Sequence, residues 1–143
     1  MTTPITIKVK RLHPDARLPQ YARPGDAGMD LFSRDTRTLE QGEPFLFKLG
    51  FAIEIPQGYV ALVKDRSGLA ARGITTLGGV IDQTYRGELG VVLLNTTERE
   101  HLVKPGDRIA QLLIIPIATA EMEEAAELSE TDRGEEGFGS TGR

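Results

Sequence analysis

The sequence predicts a single all-β domain, a sandwich or barrel, and three observations carry that expectation. Short β-branched or apolar runs recur along the chain, Gly- and Pro-containing turns separate them, and helix signals are few. The 143 residues suffice for one domain with a buried core and are too few for two comfortable ones. Apolar residues make up 39% and charged residues 27%, with both signs mixed, a globular composition rather than a disordered or fibrous one.

Taken in order, Ile5-Thr6-Ile7-Lys8-Val9-Lys10 alternates with the period of a half-buried strand. Pro44 to Leu49, Phe51 to Ile55 and Tyr59 to Lys64 follow as strands. Pro56-Gln57-Gly58 joins the last two, one residue fixing φ and the other freeing it. Leu89 to Asn95 and Arg108 to Ile115 read as core strands, with Lys104-Pro105-Gly106-Asp107 as the turn before the second. Ser67 to Gly73 predicts a short helix, with a serine near its start and a glycine just past its end. Ala118 to Leu128 has helix-forming composition but no apolar stripe, so it reads either as a helix or as an acidic linker leaving the core. The composition changes at residue 129, which divides the chain into a domain over 1–128 and a glycine-rich arm over 129–143. In that arm Phe138 is the one large apolar residue, so the segment stays loose or closes over something.

Composition also excludes function classes. No apolar run approaches the roughly 18 residues that cross a bilayer, so no membrane partner is expected. The N-terminus lacks the basic start and apolar block of a secretion signal. With no cysteine there are no disulfides and no thiolate metal sites, which fits a reducing, cytoplasmic setting. The net charge of −4 and the absence of a basic stripe argue against direct nucleic-acid binding. The positive residues are scattered, several within glycine-rich turns, a pattern that suits a small anionic ligand.

Five segments could carry chemistry. Pro24-Gly25-Asp26-Ala27-Gly28-Met29-Asp30-Leu31 is either a polar turn entering a strand or backbone turning sharply near a bound charge. Arg66-Ser67-Gly68 at a helix start brings a guanidinium, a hydroxyl and backbone N–H groups together, as an anion requires, or is an ordinary helix start. In Gly78 to Gly87 the paired glycines let backbone approach a ligand, and Tyr85 stands three residues after Asp82, where it can pack on a flat ring or a sugar; the alternative is a plain hairpin. Gln111 is a polar residue within an apolar strand, so it bonds backbone or faces a ligand. The arm lacks the lysine of a phosphate-binding Walker loop, and His13 and His101 have no metal-ligand spacing.

The five segments occur in one order and at one spacing that resembles the trimeric dUTPases. Ala27-Gly28-Met29-Asp30-Leu31, Arg66-Ser67-Gly68-Leu69-Ala70, Gly79-Val80-Ile81-Asp82 with Tyr85-Arg86-Gly87, Pro105 to Gln111, and Arg133-Gly134 with Gly137 to Gly142 carry the likeness. The resemblance implies a β-jelly roll with one short helix, and a homotrimer whose three active sites are shared between subunits. It implies hydrolysis of dUTP to dUMP and pyrophosphate. Asp82 would be the general base for a water that attacks the α-phosphorus, and Gln111 would hold the α-phosphate region and that water. Arg66, Ser67 and Gly68 would hold phosphates. Thr76 to Gly79 would read uracil, and Tyr85 would pack on deoxyribose. Phe138 and Gly139 would cover the base while Arg133, Ser140 and Thr141 grip the γ-phosphate. A Mg²⁺ would bind mainly phosphate oxygens and waters, with Asp30 acting through those waters. Three positions depart from the common pattern: Asp65 sets a carboxylate beside Arg66, Thr84 replaces an acidic residue, and Leu77-Gly78-Gly79 is an unusual spelling of the base-reading loop.

The sequence argues against two other functions. A dCTP deaminase on the same fold needs a glutamate in the strand after the third motif, and Val91-Val92-Leu93-Leu94-Asn95 has no carboxylate. A non-catalytic regulatory protein would not need the intact Asp82, Gln111 and arm.

Overall fold

The computed structural model describes residues 3–140 and 142, and among these it contains eleven strands and one short helix. A four-stranded sheet runs in the order β2 (Met29–Phe32), β11 (Arg108–Pro116), β6 (Tyr59–Lys64), β8 (Val80–Ile81). A three-stranded sheet runs β4 (Phe45–Lys48), β9 (Gly90–Asn95), β7 (Ile74–Leu77). Two ribbons complete the fold, β1 (Lys8–Arg11) on β5 (Phe51–Glu54) and β3 (Arg37–Leu39) on β10 (His101–Val103). Every strand pair is antiparallel, as a jelly roll requires.

Period-two patterning fills the space between the layers. Val91, Leu93 and Asn95 of β9 alternate inward, and Ala61 and Val63 of β6 with Phe47, Phe51 and Ile53 join them in the same interior. The strands expected at 59–64 and 51–55 form over almost those bounds. Pairing in the first ribbon begins only at Lys8, because Ile5 to Ile7 have no partner strand.

The helix is shorter than expected: α1 spans Ser67–Ala70, and Arg66 rather than serine is its N-cap, with no side-chain capping bond. Its end tightens through bonds from Arg72 N to Leu69 O and from Gly73 N to Ala70 O, and Gly73 then reverses the chain at φ +82. The open choice at 118–128 resolves as non-helical chain. These residues are all exposed, since a segment without an apolar stripe has no face to bury.

One buried polar residue holds three connections together. Asn95 is fully buried; its Nδ2 donates to Leu39 O at 2.9 Å and Arg99 O at 2.6 Å, while its Oδ1 accepts from Thr97 N and Thr97 Oγ1 at 2.9 and 2.8 Å. Asn95→Leu strands all of these partners inside the fold. The expected loss is about 2–4 kcal/mol of unfolding free energy, read as a lower urea midpoint at unchanged slope.

Candidate active site

The motif residues form two clusters on the domain and a third group on the arm. The first cluster depends on the central strand β11. Its register against β2 shifts between Arg108 and Ala110, so Ile109 and Ala110 are both buried while Arg108 faces out. Past this bulge Gln111 pairs with Asp30 on one side and Lys64 on the other. Asp30 lies between two guanidinium groups, with Arg108 Nε 3.2 Å from its Oδ2 and Arg66 Nε 3.9 Å from its Oδ1. Arg66 Nη1 also donates to the Arg108 carbonyl at 3.2 Å. One largely buried carboxylate thereby holds two arginines side by side, where they can meet an anion bidentately. Ser67 and Gly68 lie exposed beside them at the start of α1.

Gln111 is fixed from two directions. Its Nε2 donates to the Asp65 carbonyl at 2.7 Å, and its Oε1 lies where a Cβ on residue 28 would have to go. Gly28 thus leaves room for the Gln111 side chain by close approach and does not serve a positive-φ turn. Asp65, which the sequence sets beside Arg66, turns its side chain the other way. It accepts from Thr76 N at 2.8 Å, from Thr75 Oγ1 at 2.7 Å, and from Thr76 Oγ1. Burial pushes its carboxyl up, and the Thr76 and Thr75 hydrogen bonds outweigh that, holding it below the ordinary carboxylate value.

The second cluster follows β8. Gly79, at φ +102, presses on β6: a Cβ there would stand 2.6 Å from Val63 O, and Val63 N donates to Gly79 O at 2.8 Å. Gly79, Val80, Ile81, Asp82 and Tyr85 line a concavity of about 450 Å³. Tyr85 N donates to Asp82 O at 3.1 Å and closes the turn, while the Tyr85 hydroxyl donates to Glu88 O at 2.9 Å. The ring lies so close to Gly87 that a Cβ would collide with it. Asp82 is exposed, and among the described residues its carboxylate has no hydrogen-bond or ion-pair partner. A carboxylate left so at the rim of a concavity is available to accept a proton.

The described residues of the arm meet neither cluster. Arg133 Nε donates to Glu136 O at 2.8 Å in a local turn, Phe138 is wholly exposed at φ 51, and Gly139 and Ser140 continue a second turn. Thr141, expected to hold phosphate, lies outside the described residues. Among the described residues no hydrogen bond, ion pair or common concavity joins Asp82 to Gln111 or to the arm. Sequence reasoning assigned Asp30, Arg66, Gln111, Asp82 and Tyr85 but passed over Arg108 and Thr75. An arginine opening an apolar strand was the available signal for the first; for Thr75 there was none, because its partner is distant in sequence.

Two arginines set side by side on one carboxylate and a separate concavity of about 450 Å³ on an antiparallel jelly roll are features that suit a nucleotide-binding protein. The sequence profile of the dUTPase family matches residues 14–142. A deoxyuridine 5′-triphosphate nucleotidohydrolase of Clostridium tetani is 46% identical, with 99% of each chain covered. A mutant dUTPase of Staphylococcus bacteriophage 80alpha, solved with dUpNHpp, superposes with a TM-score of 0.87 at 35% identity, covering 96% of this chain and 99% of that one. A mutant dUTPase from phage phi11 of S. aureus, which coordinates a structural Mg(II) ion, gives 0.79 at 30% identity over 88% of this chain and 100% of that one. The chain belongs to the dUTPase family.

Gly28→Ala puts a methyl group into the seat of Gln111. Turnover is expected to fall about a hundredfold while the fold survives, checked by steady-state kinetics beside thermal melting.

Proposed function

We propose that this chain hydrolyses dUTP to dUMP and pyrophosphate, limiting uracil in DNA and supplying dUMP for thymidylate synthesis. The observation that carries the mechanism is the unpaired Asp82 carboxylate at the rim of the Tyr85 concavity. Asp82 takes a proton from a water as that water attacks the α-phosphorus, and Gln111 orients the water and the α-phosphate region. Tyr85 packs on the deoxyribose and leaves no room for a 2′-hydroxyl. Backbone groups over Thr76 to Gly79 read uracil and reject a 5-methyl group. Arg66, Ser67 and Gly68 hold phosphates, and Arg133, Phe138, Gly139, Ser140 and Thr141 of the arm close over base and γ-phosphate.

Among the described residues no three His, Cys, Asp or Glu side chains are grouped as a metal cage, and Asp30 is shared by two guanidinium groups. That donor set fits an ion which takes its ligands mainly from phosphate oxygens and waters, as Mg²⁺ does, with Asp30 reached through water. When bound, Mg²⁺ neutralises triphosphate charge and fixes its conformation for in-line attack.

A homotrimer brings the three groups of motif residues into shared sites. Two features of the single chain support it. The arm's Phe138 meets nothing, and an apolar concavity of about 610 Å³, lined in part by Ile5, Ile7, Val9, Tyr21, Met29 and Ile114, stands open. In this assembly the arm over 129–143 reaches a neighbour's site. Among the described residues no helix is long and apolar enough to cross a membrane, and a nucleotide-pool substrate suits a cytoplasmic enzyme. Deamination of dCTP lacks a proton shuttle, since β9 carries no carboxylate.

Pyrophosphate release from dUTP, dCTP, dTTP and UTP, with Mg²⁺ and with EDTA, tests the reading. Rapid, Mg²⁺-dependent release from dUTP alone is expected, and silence on dUTP defeats it. Asp82→Asn is expected to keep nucleotide binding while kcat falls by about three orders of magnitude or more; near-normal turnover removes Asp82 from the mechanism. Deleting Thr131 to Arg143 is expected to leave the oligomer intact by light scattering and to cut kcat/KM at least about a hundredfold.

A further inference from the structure

We propose that Asp65 is a positioning residue that fixes base selectivity, by pinning the base-reading strand β7 to the strand end that holds Gln111. The inference rests on the dUTP reading above.

β7 is one of the two edge strands of the three-stranded sheet. An edge strand presents backbone N–H groups that no ladder satisfies, and without a partner they bond water and leave the strand free to shift. Here the outward N–H of Thr76 donates to Asp65 Oδ1 at 2.8 Å. Successive side chains of a strand point to opposite faces, so a group can meet two consecutive hydroxyls only by sitting on the strand's edge. Asp65 does so: the Thr75 hydroxyl donates to Oδ2 at 2.7 Å and the Thr76 hydroxyl donates to Oδ1. Three donors on one carboxylate fix β7 along its length and across its width.

The same residue closes the link to the phosphate side. Its carbonyl accepts from Gln111 Nε2 at 2.7 Å, and Arg66, beside it in sequence, stands 3.9 Å from Asp30. The far end of the loop is held independently by the bond from Val63 N to Gly79 O. Leu77, paired with Val92 at the end of the β7–β9 ladder, and Gly78 lie exposed between the two anchors. The Asp65 side chain thus reaches from the end of β6 to β7 beside the loop, and a carboxylate suits the position, because all three partner groups donate to it.

The test measures kcat and KM for dUTP and dTTP with the full-length enzyme, alongside thermal melting. Asp65→Ala is expected to raise KM for dUTP about tenfold, change kcat less than about threefold, and lower the dUTP-over-dTTP preference about tenfold. Asp65→Asn keeps an acceptor for Thr76 and is expected to recover most of the preference. Thr75→Val removes one of the three donors to Asp65, with the longer bond of the same hydroxyl to Thr76 O at 3.4 Å, and is expected to lower the preference in the same direction; it carries the test if Asp65→Ala does not fold. A lower melting temperature with unchanged preference in Asp65→Ala and Thr75→Val would mean that the cluster only stabilises the fold, and overturns the inference. Wild-type enzyme silent on dUTP overturns the reading of the reaction itself and this inference with it, whereas active wild type with unaltered variants sinks the inference alone.

Discussion

The pairing of β11 with both β2 and β6 is the constraint on which the site depends. Antiparallel register decides which side chains are neighbours, and a slip of one residue would turn Gln111 into the core and Leu112 out of it. The bulge at Ile109 sets that register. It lets two consecutive apolar residues be buried while Arg108 stays outside, beside Asp30. A backbone irregularity in one strand therefore determines where a carboxylate, an amide and two arginines meet.

Electrostatics then divides the surface. The two acidic residues at the site have opposite environments. Asp30 is largely buried and held between guanidinium groups, so its charge is spent on orienting Arg66 and Arg108. Asp82 is exposed and unpaired, which leaves its lone pairs for a proton. Asp65 represents a third use, a carboxylate saturated by hydroxyl and amide donors that serves as a joint between sheets. Sequence position alone sets the Asp65 carboxylate beside Arg66; the geometry turns it away, toward Thr75 and Thr76.

Glycine has one role in this architecture that goes beyond turns. At Gly28, Gly79 and Gly87 the limiting object is a neighbouring atom, respectively the Gln111 amide, the Val63 carbonyl and the Tyr85 ring. Each marks a place where a functional side chain or the loop itself has been brought closer than a Cβ permits. The bed of small residues in the arm is different. There the described glycines meet little, and the segment's order has to come from whatever it covers.

The sequence by itself determined the all-β class, most strand positions and the family, because period-two patterning and motif order are local properties of the chain. It left the segment at 118–128 undecided between helix and linker, since helix-forming composition does not say whether a face will be buried. It overextended the helix at Ser67, because a glycine signals a stop without saying how many turns precede it. Only the tertiary structure decided that Asp30 bridges two arginines, that Asp65 serves Thr75 and Thr76, and that Gly28 exists for Gln111. Those contacts join residues 10 to 83 positions apart. Sheet register and the bulge create them, and neither is written in any one segment of the chain.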